Sequence, residues 1–237
     1  MLTAAFFDRD AQAVARDLLG KVLRRRVGRL WLAAQIVEAE AYYRREKGSH
    51  ASLGRTASRE PLFMPPGTIY MYYARGGHSL NVSCRGAGNA VLVKAARPYV
   101  DARSGEASLA WMRAANPGAR GPRPDARLCA GQTLLCRALA LRVPEWTGRT
   151  FDPTRFYVED VGYRPEAIVQ ARRLGIPAGR DEHLPYRFLD AGALASVTSN
   201  PLARRGAQEG LDYRVLRPRR RALAAAPARS AGVRGRG

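Results

Sequence analysis

The stretch KVLRRRVGRLWLAAQIVEAEAYY, residues 21–43, predicts the hairpin around which the rest of the fold is organised. Its first part favours a strand over residues 22–27, Gly28 suits a tight turn, and a second strand begins at Leu30. The end of this second strand is unusual. IVEAEAYY, residues 36–43, places two acids where a buried strand would hold apolar side chains.

The two acids share one face of the predicted strand. Side chains alternate along a strand, so Glu38, Glu40 and Tyr42 point the same way, and two such carboxylates tend to raise the pKa of one of them. Periodicity alone favours a half-exposed strand with solvated acids. A general base and a pair of metal ligands are the alternatives. The surrounding Tyr, Arg and Gly residues offer few further hard ligands, which disfavours a metal site.

The sequence on either side of the hairpin predicts a mixed fold. Apolar residues recur at helical spacing over residues 11–19, where Asp8 or Asp10 suits the N-cap and Gly20 the end. Residues 44–61 lack periodicity and predict an irregular surface loop. Further strands are predicted over 67–84, 89–100, 154–160 and 167–176, helices over 107–115 and 131–141, and the end of the folded part over 186–196.

The charge balance points to nucleic acid as a partner. Forty Lys and Arg residues against twenty acids leave a net charge of +20, while a hydrophobic share of 46% is ordinary for a globular protein. The positive electrostatic field of such a protein attracts phosphate backbones. The alternatives are binding to an anionic membrane surface and a basic composition without a functional cause. The tail, residues 217–237, holds seven of these charges and no acid, so residues 1–216 keep +13. We expect the tail to be disordered.

The cysteines and the hydropathy indicate a reducing cytosol. Cys84, Cys129 and Cys136 form no C-x-x-C pair, and Cys129 and Cys136 are expected to be buried packing thiols. The chain shows neither a signal-peptide pattern nor an apolar run of about 20 residues, so no membrane association is expected.

The cluster YMYY, Tyr70–Tyr73, has two interpretations. Core packing is one, and a platform on which nucleic-acid bases stack is the other. Alternation places Tyr70 and Tyr72 on the same face. Gly76 and Gly77 allow close backbone approach, which suits either a loop pressed into a nucleic-acid groove or a plain turn.

Several segments together resemble the alkyladenine (3-methyladenine) DNA glycosylase family. The resemblance runs from about Phe6 to Ser196, and its order and spacing make it more specific than any single motif. The segments are IVEAEAY, a His eight residues after that Tyr, FMPPGTIYMY, SLNVSCRGAGNAVLVKAARP and LCAGQTLLCRALAL.

The resemblance implies a fold and a reaction. The fold is α+β: one domain, residues 1–216, with a curved, mainly antiparallel sheet flanked by helices. The reaction is hydrolysis of the bond between a damaged purine and its deoxyribose. No metal or organic cofactor is expected, and the partner is double-stranded DNA containing damaged purines, bound by a monomer.

The resemblance also assigns roles by position. Glu40 matches the general base. Tyr42, His50 and Tyr72 match the aromatic residues that enclose the extruded base, and Asn81 matches the residue that clashes with the 2-amino group of undamaged guanine.

General chemistry supports these roles. A base inside a duplex must be flipped out before an enzyme can reach it, at a cost of a few kcal/mol. A cationic alkylpurine stacks well among electron-rich rings. A carboxylate beside the sugar can stabilise an oxocarbenium-like state and accept a proton from water.

Lys94 departs from the family pattern. It stands where the family commonly has an arginine that helps hold the catalytic water, and lysine keeps the charge but lacks the planar fork. We count Lys94 with the catalytic group, in the role of that arginine rather than as a Schiff-base nucleophile.

The wedge that fills the gap left by the flipped nucleotide also departs from the pattern. The family usually inserts a tyrosine from this segment into the minor groove. Here the segment between Tyr72 and Asn81 is one residue shorter than in the family pattern. Arg75 lies nearest the wedge position. The predicted DNA-contacting residues are Tyr73, Arg75, Gly76, Gly77 and His78.

Two rival functions remain open. Lys94 and the altered wedge are consistent with a non-catalytic nucleic-acid-binding protein that keeps the fold. The second rival is a metal-dependent nuclease that uses Glu38 and Glu40.

Overall fold

The computed structural model describes residues 1–74 and 76–217. These residues form one mixed α/β domain built on a large, open antiparallel sheet. The helices are α1 Ala4–Phe7, α2 Ala11–Leu18, α3 Glu106–Ala115, α4 Gln132–Ala138 and α5 Val143–Trp146; the strands are β1 Val22–Val27, β2 Leu30–Tyr42, β3 Ile69–Ala74, β4 Gly77–Ser83, β5 Ala90–Pro98, β6 Phe156–Glu159, β7 Ile168–Ala171, β8 Arg187–Asp190 and β9 Tyr213–Leu216.

The long strand β2 organises the sheet. The strand order is β3-β4-β5-β2-β8-β7-β9, and β1 pairs with both β2 and β6. The first part of β2 pairs with β1 and its last part with β8, while β5 runs along its other side. The hairpin predicted from residues 21–43 is therefore confirmed, including the start of β2 at Leu30.

Helix α2 begins where the sequence predicted. The Asp10 carboxylate caps it by accepting hydrogen bonds from the amides of Gln12 and Ala13, at 3.0 and 3.2 Å. Such a cap satisfies donors that have no partner inside the first turn. The apolar stripe of the helix is buried in the main core with residues of β2 and β5, so α2 covers one face of the sheet.

Helices α3 and α4 contribute to the same core. Leu109 and Met112 of α3 and Leu135 and Cys136 of α4 are buried there. Cys129 and Cys136 are completely buried, which confirms their assignment as packing thiols, and burial raises the pKa of Cys129 to about 12. The opposite face of β3, β4, β5 and β2 is left for the candidate site.

Three sequence predictions of the fold were wrong in detail. Residues 67–84 form a hairpin of two strands, β3 and β4, because Gly76 at φ +77° allows a tight reversal. The strand predicted over 167–176 ends at Ala171. The fold continues past residue 196 to β9, which pairs with β7. Arg75 and residues 218–237, most of the predicted arginine-rich tail, lie outside the described residues.

A bulge interrupts the pairing of β2 with β5. Glu38 pairs with Ala95 and Ala39 with Val93, so Lys94 is an extra residue on β5. A β-bulge re-aims side chains, and bulges are frequent beside active sites. Lys94 lies two residues from Leu92, the partner of Glu40, so both share the face of the sheet on which Glu40 lies.

Candidate active site

The site is built on one row of residues that crosses five strands. Tyr70 pairs with Asn81, Asn81 with Leu92, Leu92 with Glu40, and Glu40 with Arg187. Residues directly opposite each other in a sheet share a face. Side chains that lie far apart in the sequence are thereby brought together.

A cavity of about 550 Å³ opens over this row. Its volume lies within the range of ~300–1,000 Å³ that small-molecule sites occupy. Five of the predicted site residues line it: Tyr42, His50, Tyr72, Asn81 and Lys94. The structure therefore gathers these five residues, predicted from separate segments, around one cavity.

Glu40 lies just behind the cavity wall. Its side chain is 0% exposed, and three donors hold its carboxylate. The Tyr42 hydroxyl donates to Oε2 at 2.7 Å, the Leu174 amide donates to Oε1 at 3.3 Å, and Lys94 Nζ lies 3.5 Å from Oε1. All three donor residues line the cavity, although Glu40 itself is not among the lining residues. The carboxylate is thus fixed in direction.

The Tyr42 hydroxyl stays protonated. Burial, and then the neighbouring Glu40 carboxylate, raise the pKa of Tyr42 well above its usual value. A protonated phenol can donate the hydrogen bond that Glu40 accepts.

Glu38 is also completely buried, so the interpretation of solvated acids on a half-exposed strand was wrong. Arg187 Nε donates to its Oε1 at 2.7 Å, and the Thr198 amide donates to its Oε2 at 2.6 Å. Each acid therefore has its own cation, Arg187 for Glu38 and Lys94 for Glu40. Pairing of this kind is what allows a charge to be buried.

The aromatic part of the wall comes from three segments: Tyr42 from β2, His50 from the loop that follows, and Tyr70 and Tyr72 from β3. The rings of His50 and Tyr72 lie 4.4 Å apart at 62°, and Tyr70 stacks on Tyr72 at 5.5 Å. The Tyr70 hydroxyl lies 3.0 Å from Nδ1 of His50, and burial, followed by Tyr72, raises the pKa of Tyr70 to about 12. Tyr70 was missed as a site residue, although its shared face with Tyr72 was the available signal.

His50 is held in its neutral form at neutral pH. Burial lowers the pKa of the ring, and the charges of Arg59 and Arg180 lower it further. A neutral ring adds no positive charge to the wall.

Asn81 is nearly buried in the floor of the cavity. Its Nδ2 donates to the Tyr70 carbonyl at 3.2 Å, which fixes the orientation of the amide. Its carbonyl oxygen and the edge of the amide are then the groups that a ligand over this part of the floor would meet.

The β3–β4 hairpin carries the predicted DNA-contacting residues. Tyr73 is 66% exposed, and its ring lies 4.8 Å from that of His78. Gly76 has a positive φ, and a Cβ on Gly77 would lie 2.7 Å from Cβ of Thr133, a cavity-lining residue. The hairpin tip therefore lies beside the cavity mouth. Arg75, the predicted wedge, is outside the described part of the chain.

A further part of the wall was missed because the sequence predicted a strand there. After β7 ends at Ala171, the chain passes along the cavity and contributes Leu174, Gly175, Ile176, Pro177 and Arg180. The glycine at 175, with φ +75°, was the local sign that the strand could not continue.

Two observations bear on metals and membranes. Within residues 1–74 and 76–217, no group of three or more His, Cys, Asp or Glu side chains is arranged to hold a metal ion. No helix in those same ranges is both long and apolar enough to cross a bilayer.

Comparison with known proteins finds one family. A model of the family described as methylpurine-DNA glycosylase (MPG) matches residues 5–194. A Pseudomonas savastanoi pv. phaseolicola protein is 65% identical over 209 residues, 88% of this chain and 93% of its own length. A Pseudomonas aeruginosa protein is 61% identical over 91% of this chain and 90% of its own, and one from Koribacter versatilis is 37% identical over 81% and 90%. Each bears the name "Putative 3-methyladenine DNA glycosylase".

Proposed function

Because the chain belongs to the methylpurine-DNA glycosylase family, a family of DNA-repair enzymes, we propose that it releases alkylated purines, and deaminated adenine, from duplex DNA. The observation that carries the proposal is the Glu40 carboxylate, fixed by three donors directly behind a cavity walled by aromatic rings. The names of the relatives support the role of a 3-methyladenine DNA glycosylase.

The first step is extrusion of the damaged nucleotide. Flipping costs a few kcal/mol, and less for a lesion that pairs poorly, so damage itself favours entry. The rings of Tyr42, His50 and Tyr72 supply the apolar surfaces against which the purine packs. Stacking of a base on an aromatic side chain contributes about 1–3 kcal/mol, enough to offset much of the extrusion cost.

The second step is cleavage of the N-glycosidic bond. The purine departs with the bonding electrons, and positive charge develops on the sugar. The Glu40 carboxylate stabilises that charge and takes a proton from the attacking water, whose oxygen bonds to the sugar carbon and leaves an abasic site. A purine made cationic by alkylation leaves as the neutral base and Glu40 returns its proton to solvent, whereas an uncharged lesion leaves as an anion and accepts that proton. The hydroxyl of Tyr42 and the ammonium of Lys94 keep the carboxylate aimed at one position.

The Lys94–Glu40 ion pair supports a monofunctional enzyme. Lys94 Nζ lies 3.5 Å from Glu40 Oε1, and an ammonium group paired with a carboxylate has no free electron pair with which to attack the sugar. Base release is therefore assigned to water, and strand cleavage is expected only after treatment with alkali.

The test is base release from a duplex that contains one ethenoadenine or hypoxanthine, with chelator present and alkali added afterwards. Alkali-dependent cleavage at the lesion supports the glycosylase. Tight binding with no release from any alkylated substrate would favour a binding protein, and cleavage that chelator abolishes would favour a metal-dependent nuclease.

Glu40→Gln tests the role of the carboxylate. We expect the single-turnover rate of base release to fall by about 10²–10⁴-fold, the usual contribution of a general base. Affinity for lesion DNA should change little, because the amide keeps the shape of the side chain. If the variant releases the base as fast as the wild type, Glu40 is not the base.

A further inference from the structure

A buried arginine behind the cavity wall has no role in the reaction described so far. The side chain of Arg173 is 0% exposed, and its guanidinium carbon lies 4.4 Å from the centre of the Tyr42 ring. The centre of the Tyr186 ring lies 5.5 Å from the same carbon. The planar guanidinium thus lies over one of the rings that line the cavity.

The remaining contacts of Arg173 all go to the end of β2 and the turn that follows. Nη1 donates to the Ala41 carbonyl at 2.9 Å and pairs with Glu46 Oε2 at 2.5 Å. The other carboxylate oxygen of Glu46 accepts the Tyr43 amide at 3.2 Å. One guanidinium therefore holds the backbone on both sides of Tyr42.

Within the described part of the chain, polar contacts hold only one of the three guanidinium nitrogens, Nη1. Among the described residues, Nε and Nη2 of Arg173 are buried without a hydrogen-bond partner. An arginine that served only as a structural ion pair would be expected to use these donors, because an unsatisfied buried donor is costly. The guanidinium instead lies over an aromatic face, a contact that suits the planar, delocalised charge of arginine better than the compact charge of an ammonium group.

The residue after Arg173 touches the reaction centre. The Leu174 amide donates to Glu40 Oε1 at 3.3 Å, and Leu174 lines the cavity. Placement of Arg173 against Tyr42 therefore also places a backbone donor against the carboxylate.

We propose that Arg173 is a positioning residue that sets the plane of the Tyr42 ring, against which the extruded base packs, and the direction of the Glu40 carboxylate. This rests on the proposed function, and it adds a residue that touches neither the DNA nor the water. The guanidinium acts through Tyr42 for base capture and through Leu174 for the chemical step.

The decisive variant is Arg173→Lys, which keeps the positive charge and removes the planar guanidinium group. Ethenoadenine in a duplex reports flipping by its fluorescence, and single-turnover base release reports the chemical step. We expect the equilibrium constant for flipping to fall by about tenfold, within the range that loss of one cation–π contact allows. The rate of base release should fall with it.

The matched control is Arg24→Lys. Arg24 is another buried arginine, and it pairs with Asp101 and Glu159 away from the cavity. The equilibrium constant for flipping and the rate of base release should both stay within about twofold of wild type.

A double-mutant cycle separates positioning from general damage to the fold. In a Tyr42→Leu background, Arg173→Lys should change flipping by less than about twofold, because the ring through which it acts is gone. An equal effect in both backgrounds, or wild-type flipping in a folded Arg173→Lys protein, would overturn the proposal. If circular dichroism shows the lysine variant unfolded, Glu46→Gln serves instead, since it keeps Arg173 and weakens its anchor. Unchanged flipping in Glu46→Gln would then overturn it.

Failure of the proposed function gives a different result. In that case the wild-type protein itself releases no base from any lesion. An active wild type with an equally active Arg173→Lys variant contradicts only the positioning role.

Discussion

At the scale of single residues, the two glutamates of β2 show how a short spacing yields two different environments. Glu38 is paired with Arg187 and with a backbone amide, and Glu40 is held by Tyr42, Lys94 and another amide. Both acids are buried. All three donor residues around Glu40 line the cavity, whereas of the two around Glu38 Thr198 lines it and Arg187 does not. Glu40 is the acid that we propose for the chemistry, and Glu38 supports the site through its ion pair with Arg187.

Glu38→Gln should destabilise the protein strongly. Removing one partner of a buried ion pair leaves an uncompensated charge, here on Arg187, at a cost of about 3–5 kcal/mol. Urea unfolding measures the loss. Asp125→Asn is the control, because the Arg113–Asp125 pair is exposed and such pairs contribute about 0–1 kcal/mol. Equal losses of unfolding free energy in the two variants would show that Glu38 does not form a buried ion pair with Arg187.

Lys94→Met should slow base release without abolishing DNA binding. The methionine keeps much of the volume but removes the cation 3.5 Å from Glu40. We expect a fall of about 10²-fold in the single-turnover rate, in the range found when one preorganised group is lost. Lys94→Arg restores the charge and should recover most of the rate. If Lys94→Met releases the base as fast as the wild type, Lys94 has no catalytic role.

The His50 ring should titrate below its ordinary value of 6.5. Burial and the charges of Arg59 and Arg180 disfavour the protonated form. At neutral pH the ring is then uncharged, and lowering the pH through the shifted pKa adds a positive charge to the wall. Side-chain NMR with a His50→Gln spectrum for assignment measures the shift. A pKa above 6.5 would contradict the environment described for this ring.

At the scale of elements, the β3–β4 hairpin and helix α4 depend on one close contact. A Cβ on Gly77 would lie 2.7 Å from Cβ of Thr133, so the hairpin can reach the cavity edge only with glycine at this position. Glycine 77 is needed for space, whereas Gly76 is needed for its positive φ.

Gly77→Ala should therefore lower thermal stability. Overpacking of this kind typically costs about 1–3 kcal/mol. Gly105→Ala is the control, because among the described residues nothing lies within 4 Å of a Cβ there and the φ of Gly105 is negative. Differential scanning calorimetry compares the two variants. A melting temperature lowered equally by both would mean that the contact with Thr133 is not the cause.

At the scale of the whole molecule, the net charge of +20 favours the encounter with DNA. Many of these cations are committed internally, as Arg24, Arg173 and Arg187 show. The seven arginines of residues 217–237 have no acid beside them in the sequence. Their expected contribution is a general attraction to phosphates rather than recognition of a lesion.

Deletion of residues 217–237 should weaken binding to undamaged duplex and flatten its salt dependence. For every phosphate that the shortened protein no longer neutralises, the slope of log K against log salt should fall by about 0.9. Single-turnover release of a lesion at saturating enzyme should be unchanged. Replacement of the seven arginines by serine is the matched control for chain length and should behave like the deletion. An unchanged salt slope would show that the tail does not bind DNA.

Much of this protein follows from its sequence because the signals are local. Alternation predicts β2 and the shared face of Glu38, Glu40 and Tyr42, and a capping aspartate with helical spacing predicts α2. The strand and the helix depend on neighbours within a few residues, which is the range over which periodicity and capping act. Five residues that line the cavity were instead predicted by the resemblance of motifs in a fixed order along the chain.

The tertiary structure alone decided which partners those residues have. The contact of Lys94 with Glu40, the pairing of Arg187 with Glu38, and the course of residues 172–177 along the cavity all join segments far apart in the chain. A sequence pattern reports which face a side chain takes but not which distant group meets it there. The energy of a buried charge depends on that distant group, so whether each acid is solvated, paired or aimed at a substrate is settled only when the chain has folded.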